Sequence, residues 1–320
     1  MGNLCAAVPT VTKVAVLGAT GQQGGAVAAA LAQKGIAVVA ITRNPESEKA
    51  KALAEKPQIV VRKADLNDVA SLVTAFEGCD GAFVIANFWE GMDAGKEMEQ
   101  YKNAAEALKK VGTMKHVIFT TLEESNIPVN KDFKTIAQHA TGDMKVPHFD
   151  GKARSEKFFE GLPTTFMVTS CYFENFTSFF SLAKQADGSY TFTLPIGDKK
   201  IPWTILNDLG VLVASTFQKP ELVGERIGQA SFYASGNDLA EMLTKATGKS
   251  VKYNKVDWKT FASFGFPGAD ELAQMFEFWN RTYDAFCGAR TLDAQKAIIG
   301  GASFTDPVEY AKTLPLKFEG

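Results

Sequence analysis

The sequence predicts an α/β fold organised around a doubly wound parallel sheet, and two observations carry that prediction. Residues 13–17 form a short apolar run that is broken by glycines spaced Gly18-x-x-Gly21-x-x-Gly24. Residues 26–34 then continue as a small-residue helix that stops at Gly35. From there to residue 121, apolar runs and helix-like segments alternate without exception, which specifies parallel strands joined by right-handed crossovers. A strand, a glycine turn and a helix in that order make an anion site. Gly18 permits the tight exit from the strand, Gly21 lets a pyrophosphate approach the backbone, and Gly24 lets the helix lie close to the sheet. No Lys-Ser/Thr follows, which argues against a nucleotide-hydrolysing loop and leaves a dinucleotide as the ligand.

The elements follow in order. Residues 36–42 are a second strand, and Arg43 stands at its end, where the adenosine ribose lies in dinucleotide folds. An acid there would bind the 2′-hydroxyl of NAD; a guanidinium matches a 2′-phosphate, so NADP(H) is expected. Residues 46–55 read as a helix and 59–62 as the third strand. Asp65 is placed to accept from the adenine amino group, and Asp68 to cap a helix over 69–76. Residues 80–86 form the fourth strand. Loops at the carboxyl ends of parallel strands surround the ligand, so Ala86, Asn87 and Phe88 should border the cofactor. A helix over 96–111 and a fifth strand over 116–121 complete the alternation. Residues 126–146 are loop-rich and polar, a helix begins at Lys152 and runs to 159, and a strand covers 164–170. Residues 171–176 are too polar at their centre for a plain core strand. Short strands are expected at 191–194 and 200–204, and a helix at 208–217 with Asn207 or Asp208 as its cap. A strand entry at 221–228, a helix at 237–246 and a strand at 251–256 follow. Helices at 257–264 and 269–281 end the reading, and the aromatic-rich 261–279 region is the best place for a partner or a substrate lid.

A chain of 320 residues is long enough for two domains. A net charge of −2 offers no footprint for nucleic acid or an anionic membrane. Cys5, Cys79, Cys171 and Cys287 have no C-x-x-C spacing, and the three histidines make no ligand pattern with them. A reduced intracellular, cytoplasmic compartment and no metal are therefore expected. No apolar run reaches the roughly 18 residues of a transmembrane span. Gly2 and Cys5 leave weak acyl-mediated membrane attachment open, although the Ser or Thr preferred at position six is missing.

Three strings are more specific than the glycines: His148-Phe-Asp-Gly-Lys152, Cys171-Tyr-Phe-Glu-Asn175 and Phe264-Gly-Phe-Pro-Gly-Ala269. With the glycine motif they resemble NmrA-like proteins, atypical members of the short-chain dehydrogenase/reductase superfamily, and most of all the HSCARG-type NADPH sensors. The resemblance covers nearly the whole chain after residue 12. It implies a Rossmann domain over 13–165, to which a segment near 203–235 returns, and a smaller α/β domain over 166–320 for substrate or partner. Residues 1–12 are then a flexible tail. It also implies pyrophosphate contacts from Gly18, Ala19, Thr20, Gly21, Gln22, Gln23 and Gly24, and a 2′-phosphate contact from Arg43. Asp65 and Leu66 fall on the adenine side. Ala86, Asn87, Phe88, Lys152, Tyr172, Phe173, Glu174 and Asn175 fall on the nicotinamide side. Glu99 stands where the sensor has a cofactor-contacting lysine, so Lys96 or Lys102 must substitute or the contact is absent.

Catalytic members of the superfamily use Tyr-x-x-x-Lys; this chain has His148-x-x-x-Lys152. An imidazole titrates near 6.5 in ordinary surroundings and is mostly uncharged at pH 7. Cationic neighbours such as Lys152 or an oxidised nicotinamide disfavour its charged form further. Since a positioned acid contributes on the order of 10²–10⁴ in rate, efficient carbonyl reduction is not expected. The sequence thus points to an NADP(H)-binding redox sensor or regulator. The alternative is an NADPH-dependent oxidoreductase for a quinone- or enone-type substrate, using Lys152 and His148. A regulatory protein partner or a small-molecule substrate fits these readings, and a homodimer stays open.

Overall fold

The structure is a computed structural model that describes residues 11–137, 139 and 142–319. Gly2 and Cys5 lie outside the described residues. Val11 and Thr12 do not belong to a tail: Val11 is buried, and the backbone of Thr12 donates to Asp80.

Seven strands form one parallel sheet in the spatial order Arg226–Gly228, Thr164–Val168, His116–Thr121, Gly81–Val84, Lys13–Val16, Ala37–Thr42, Ile59–Lys63. The chain order reverses between Lys13–Val16 and Gly81–Val84, and that switch point opens a crevice at the carboxyl ends of the strands. Alternation of side chains sorts the apolar residues onto two faces. Val14, Val16, Val38 and Ala40 pack with Leu209, Leu212 and Val213 on one face. Ala15, Leu17, Val39 and Ile41 pack with Leu72, Phe76, Tyr101 and Leu108 on the other. Two smaller sheets, one of three strands and one of four, share a separate aromatic core containing Phe173, Phe176, Trp203, Phe276 and Trp279.

Close backbone approach fixes the first crossover. A Cβ on Gly24 would lie 2.3 Å from the carbonyl oxygen of Gly18, so the helix Gln22–Gln33 meets the strand exit at a distance only glycine permits. On its other side, a Cβ on Gly210 of the helix Leu206–Thr216 would lie 2.5 Å from the oxygen of Ala26. Helix Gln22–Gln33 is thereby wedged between strand end and neighbour helix.

The structure corrects several expectations. The helix expected to begin at Lys152 begins at Pro147 and runs to Ser155, with proline at its first turn, where the missing N–H is no loss. His148 is therefore helical, not in a loop. Neither Asn207 nor Asp208 caps the helix Leu206–Thr216; Asp208 accepts from the N–H and hydroxyl of Thr305 instead. Helices Tyr283–Gly288, Leu292–Ile298 and Pro307–Thr313 were not foreseen, being too short for a clear period.

His116 generates a prediction. Its Nε2 lies 2.7 Å from Thr165 Oγ1, whose own hydrogen goes to the carbonyl of Leu222, so Nε2 is the donor. Nδ1 is buried without a partner, and burial pushes the imidazole down to about 4. The unfolded chain takes up that proton near 6.5 and the folded chain does not, so stability falls on acidification between these values. Thermal melts should show a loss of about 2 kcal/mol between pH 7 and pH 5 from this site alone. In His116→Gln, which keeps a donor for Thr165, the fall should be shallower by that amount.

Candidate cofactor and substrate cleft

At the switch point the strand ends open into a cleft of about 800 Å³. Its floor is the glycine turn: Gly18, Thr20, Gly21, Gln22, Gln23 and Gly24 all line it. Gly18 has φ +62°, the left-handed conformation that a side chain would strain. No side chain caps the helix Gln22–Gln33, so its first-turn N–H groups are left for an anion. An open cradle beneath an uncapped helix N-terminus fits a dinucleotide pyrophosphate. The backbone N–H of Ala19, by contrast, is spent on the carbonyl of Ile41, and its side chain is buried off the cleft.

At the adenosine end, Arg43 makes a two-pronged pair with Glu90, at 2.7 and 3.0 Å, and both side chains are more than half exposed. Lys49, Asn44 and Ser47 line the same end; Lys49 is a second cation that the sequence reading missed. Asp65 and Leu66 line the cleft, although one Asp65 oxygen already accepts from the backbone and side chain of Asn67. Glu99, Lys96 and Lys102 do not line it; Gln100 does.

At the opposite end, Ala86, Asn87, Phe88, His148, Lys152, Tyr172 and Asn175 line the wall. Phe173 and Glu174 do not. The two-residue strand Cys171–Tyr172 passes into a single turn, Phe173–Thr177, that rotates them away. Phe173 joins the aromatic core, and Glu174 accepts from the N–H of Leu206 and the hydroxyl of Tyr310. Gln23 donates to the Tyr172 hydroxyl at 2.6 Å, tying the glycine helix to this wall. Burial pushes the Tyr172 phenol well above its ordinary value and the Cys171 thiol up to about 12. Both stay neutral near pH 7, so Cys171 is no nucleophile.

Helix Pro147–Ser155 carries the two groups expected to do chemistry, one turn apart. Each is met by a buried acid that no motif announced. Lys152 Nζ donates to Glu97 Oε1, which also accepts from Tyr101; the Tyr101 hydroxyl in turn accepts from the N–H of Ala86. His148 donates its backbone N–H and Nδ1–H to Glu271 Oε1, both at 2.7 Å. The sequence held a weak signal for both acids. Glu97 shares a helix face with the apolar Tyr101, Ala104 and Leu108, and Glu271 one with Met275, Phe278 and Trp279. Beyond His148 the cleft is lined by an aromatic chamber. Trp89 packs on His148 at 5.0 Å and on Phe179 at 6.1 Å, and Phe149, Phe180, Leu272, Met275 and Trp279 complete the lining.

A family model described as the NmrA-like family matches residues 10–300. An NmrA-like family domain-containing protein of Dictyostelium discoideum is 28% identical over 280 residues, 84% of this chain and 87% of that protein. Quinone oxidoreductase 2 of Escherichia coli is 29% identical over 273 residues, covering 82% and 85% of the two chains. Among solved structures, NmrA, a negative transcriptional regulator crystallised with NADP, superposes with a TM-score of 0.76 at 22% identity, over 95% of each chain. Among the described residues, no helix is long and apolar enough to cross a membrane.

The Lys152–Glu97 pair yields a test of the geometry. Lys152→Ala would leave Glu97 buried with a phenol alone, which should cost about 3–5 kcal/mol in urea unfolding of the coenzyme-free protein. Adding Glu97→Gln to that variant should recover much of the loss.

Proposed function

The chain belongs to the NmrA-like family, and we propose that it is an NADP(H)-dependent oxidoreductase acting on a flat, apolar acceptor of the quinone or enone type. The observation that carries this reading is the continuity of the cleft. It runs from the glycine turn and Arg43, past Lys152, into a chamber walled by Trp89, Phe179, Phe180 and Trp279. A nucleotide site alone has no use for that chamber. Aromatic side chains suit a planar ligand by offset or edge-on packing. The bound coenzyme supplies hydride. The uncapped helix would hold its pyrophosphate, Arg43 and Lys49 its 2′-phosphate, and Lys152 its nicotinamide ribose. The name of the Escherichia coli relative, a quinone oxidoreductase, is consistent with the acceptor class.

A regulatory reading keeps one observation on its side. Gln274 accepts from the N–H of Lys134 and donates to its carbonyl, and Arg281 pairs with Asp132. These bonds tie Asp132 and Lys134 to the helix Ala269–Arg281, so a ligand in the cleft can be felt at a surface. Hydrogen exchange with and without NADPH should then show protection in 126–146 and 171–176. Protection confined to 18–25 would remove the regulatory role.

Two measurements test the main reading. Titration calorimetry should give tighter binding of NADPH than NADH, and Arg43→Ala should weaken NADPH by about 1.5–3 kcal/mol, roughly ten- to 150-fold. NADPH consumption across quinones, enones and aldehydes should be fastest with the quinones. Equal affinity for both coenzymes, or no turnover with any acceptor, would overturn it.

A further inference from the structure

Glu271 is fully buried, and among the described residues its only hydrogen-bond donors are the backbone N–H and Nδ1–H of His148. Its Oε2 is buried with no partner. A carboxylate accepts, so Nδ1 carries a hydrogen, and Nε2 is the nitrogen left to the cleft that the ring lines. Phe149 at 4.7 Å and Trp89 at 5.0 Å hold the ring from two sides. A buried carboxylate without a counter-charge is costly, and His148 is the only charge-capable group bonded to this one among the described residues. The first turn of helix Ala269–Arg281, where Glu271 sits, also favours negative charge.

We propose that His148 and Glu271 form an oriented acid dyad, with His148 delivering the proton to the substrate oxygen and Glu271 acting as the positioning residue. This rests on the reductase reading above. The reduced coenzyme would supply a hydride, which would leave an electron pair and negative charge on the substrate oxygen. The Nε2–H bond of the imidazolium breaks, its pair stays on the ring, and the new O–H bond forms. The neutral ring keeps Nδ1–H on Glu271 and regains its proton from water. The acceptor gains two electrons and two hydrogens, and the coenzyme is oxidised.

A purely structural role competes with this one. Helix Pro147–Ser155 has no side-chain cap at Val146, and Glu271 caps it through the His148 N–H. Capping needs any acceptor; the acid needs the charge. Glu271→Gln separates them, because its amide oxygen still accepts. With NADPH and 1,4-naphthoquinone, His148→Gln should lower kcat about a hundredfold, and Glu271→Gln about tenfold or more. KM for NADPH should stay within about twofold in both, and Glu271→Asp should recover part of the loss. The chain has three histidines, so ¹⁵N spectra of labelled imidazoles resolve His148 directly, and native protein should show hydrogen on Nδ1. Melts check folding; if Glu271→Gln does not fold, His148→Gln carries the test. Native-like kcat in folded Glu271→Gln or His148→Gln, or a bare Nδ1, would overturn the dyad alone. No turnover by the native protein would overturn the reductase reading, and the dyad with it.

Discussion

A buried carboxylate must be paired or hydrogen-bonded, and one short helix supplies the partners of two of them. Glu97 takes Lys152, and Glu271 takes His148. The helix has nine residues, too few to be stable on its own propensity. Its place in the cleft is set by acids that lie 55 and 123 positions away in the chain. The first comes from the helix Ala94–Val111 on the large sheet, the second from the helix Ala269–Arg281 beside the aromatic core. The two halves of the cleft are therefore registered against each other through buried polar groups rather than through apolar packing alone. Asp150 adds to the registration by accepting from the N–H of Ser125, Lys145 and Val146, which ties the irregular stretch to the same helix.

The parts legible in the sequence are those whose physics is local. The apolar runs at 13–17 and 36–42 are the strands Lys13–Val16 and Ala37–Thr42, glycine spacing marked the turn, and Asp68 caps Val69–Phe76 as read. Gly24 is glycine for the reason read from its position, since nothing larger fits against Gly18. The parts that escaped depend on partners remote in sequence. Glu97 and Glu271 look like ordinary surface acids on amphipathic helices until their lysine and histidine are brought to them. Asp208 carries a cap signature and is instead engaged by Thr305, almost a hundred residues on. His148 was weighed against cationic surroundings, whereas the group bonded to its ring is an anion. Pro147 did mark the helix start, and the more conspicuous Lys152 drew the boundary away from it.

Three consecutive residues, Phe88, Trp89 and Glu90, form a single turn after the strand Gly81–Val84. Glu90 engages Arg43 at the adenosine end, while Trp89 faces His148 and Phe179 in the chamber. The ion pair is exposed and contributes at most about 1 kcal/mol, so an arriving phosphate meets little resistance in parting it. That same turn is nevertheless a shared boundary between two recognition problems. A substitution that reshapes it for a new acceptor also resets the neighbour of Arg43. One that retunes Arg43 through Glu90 also shifts the indole next door. On the reductase reading, coenzyme preference and acceptor preference are coupled through this turn, and variants selected for one would drift in the other.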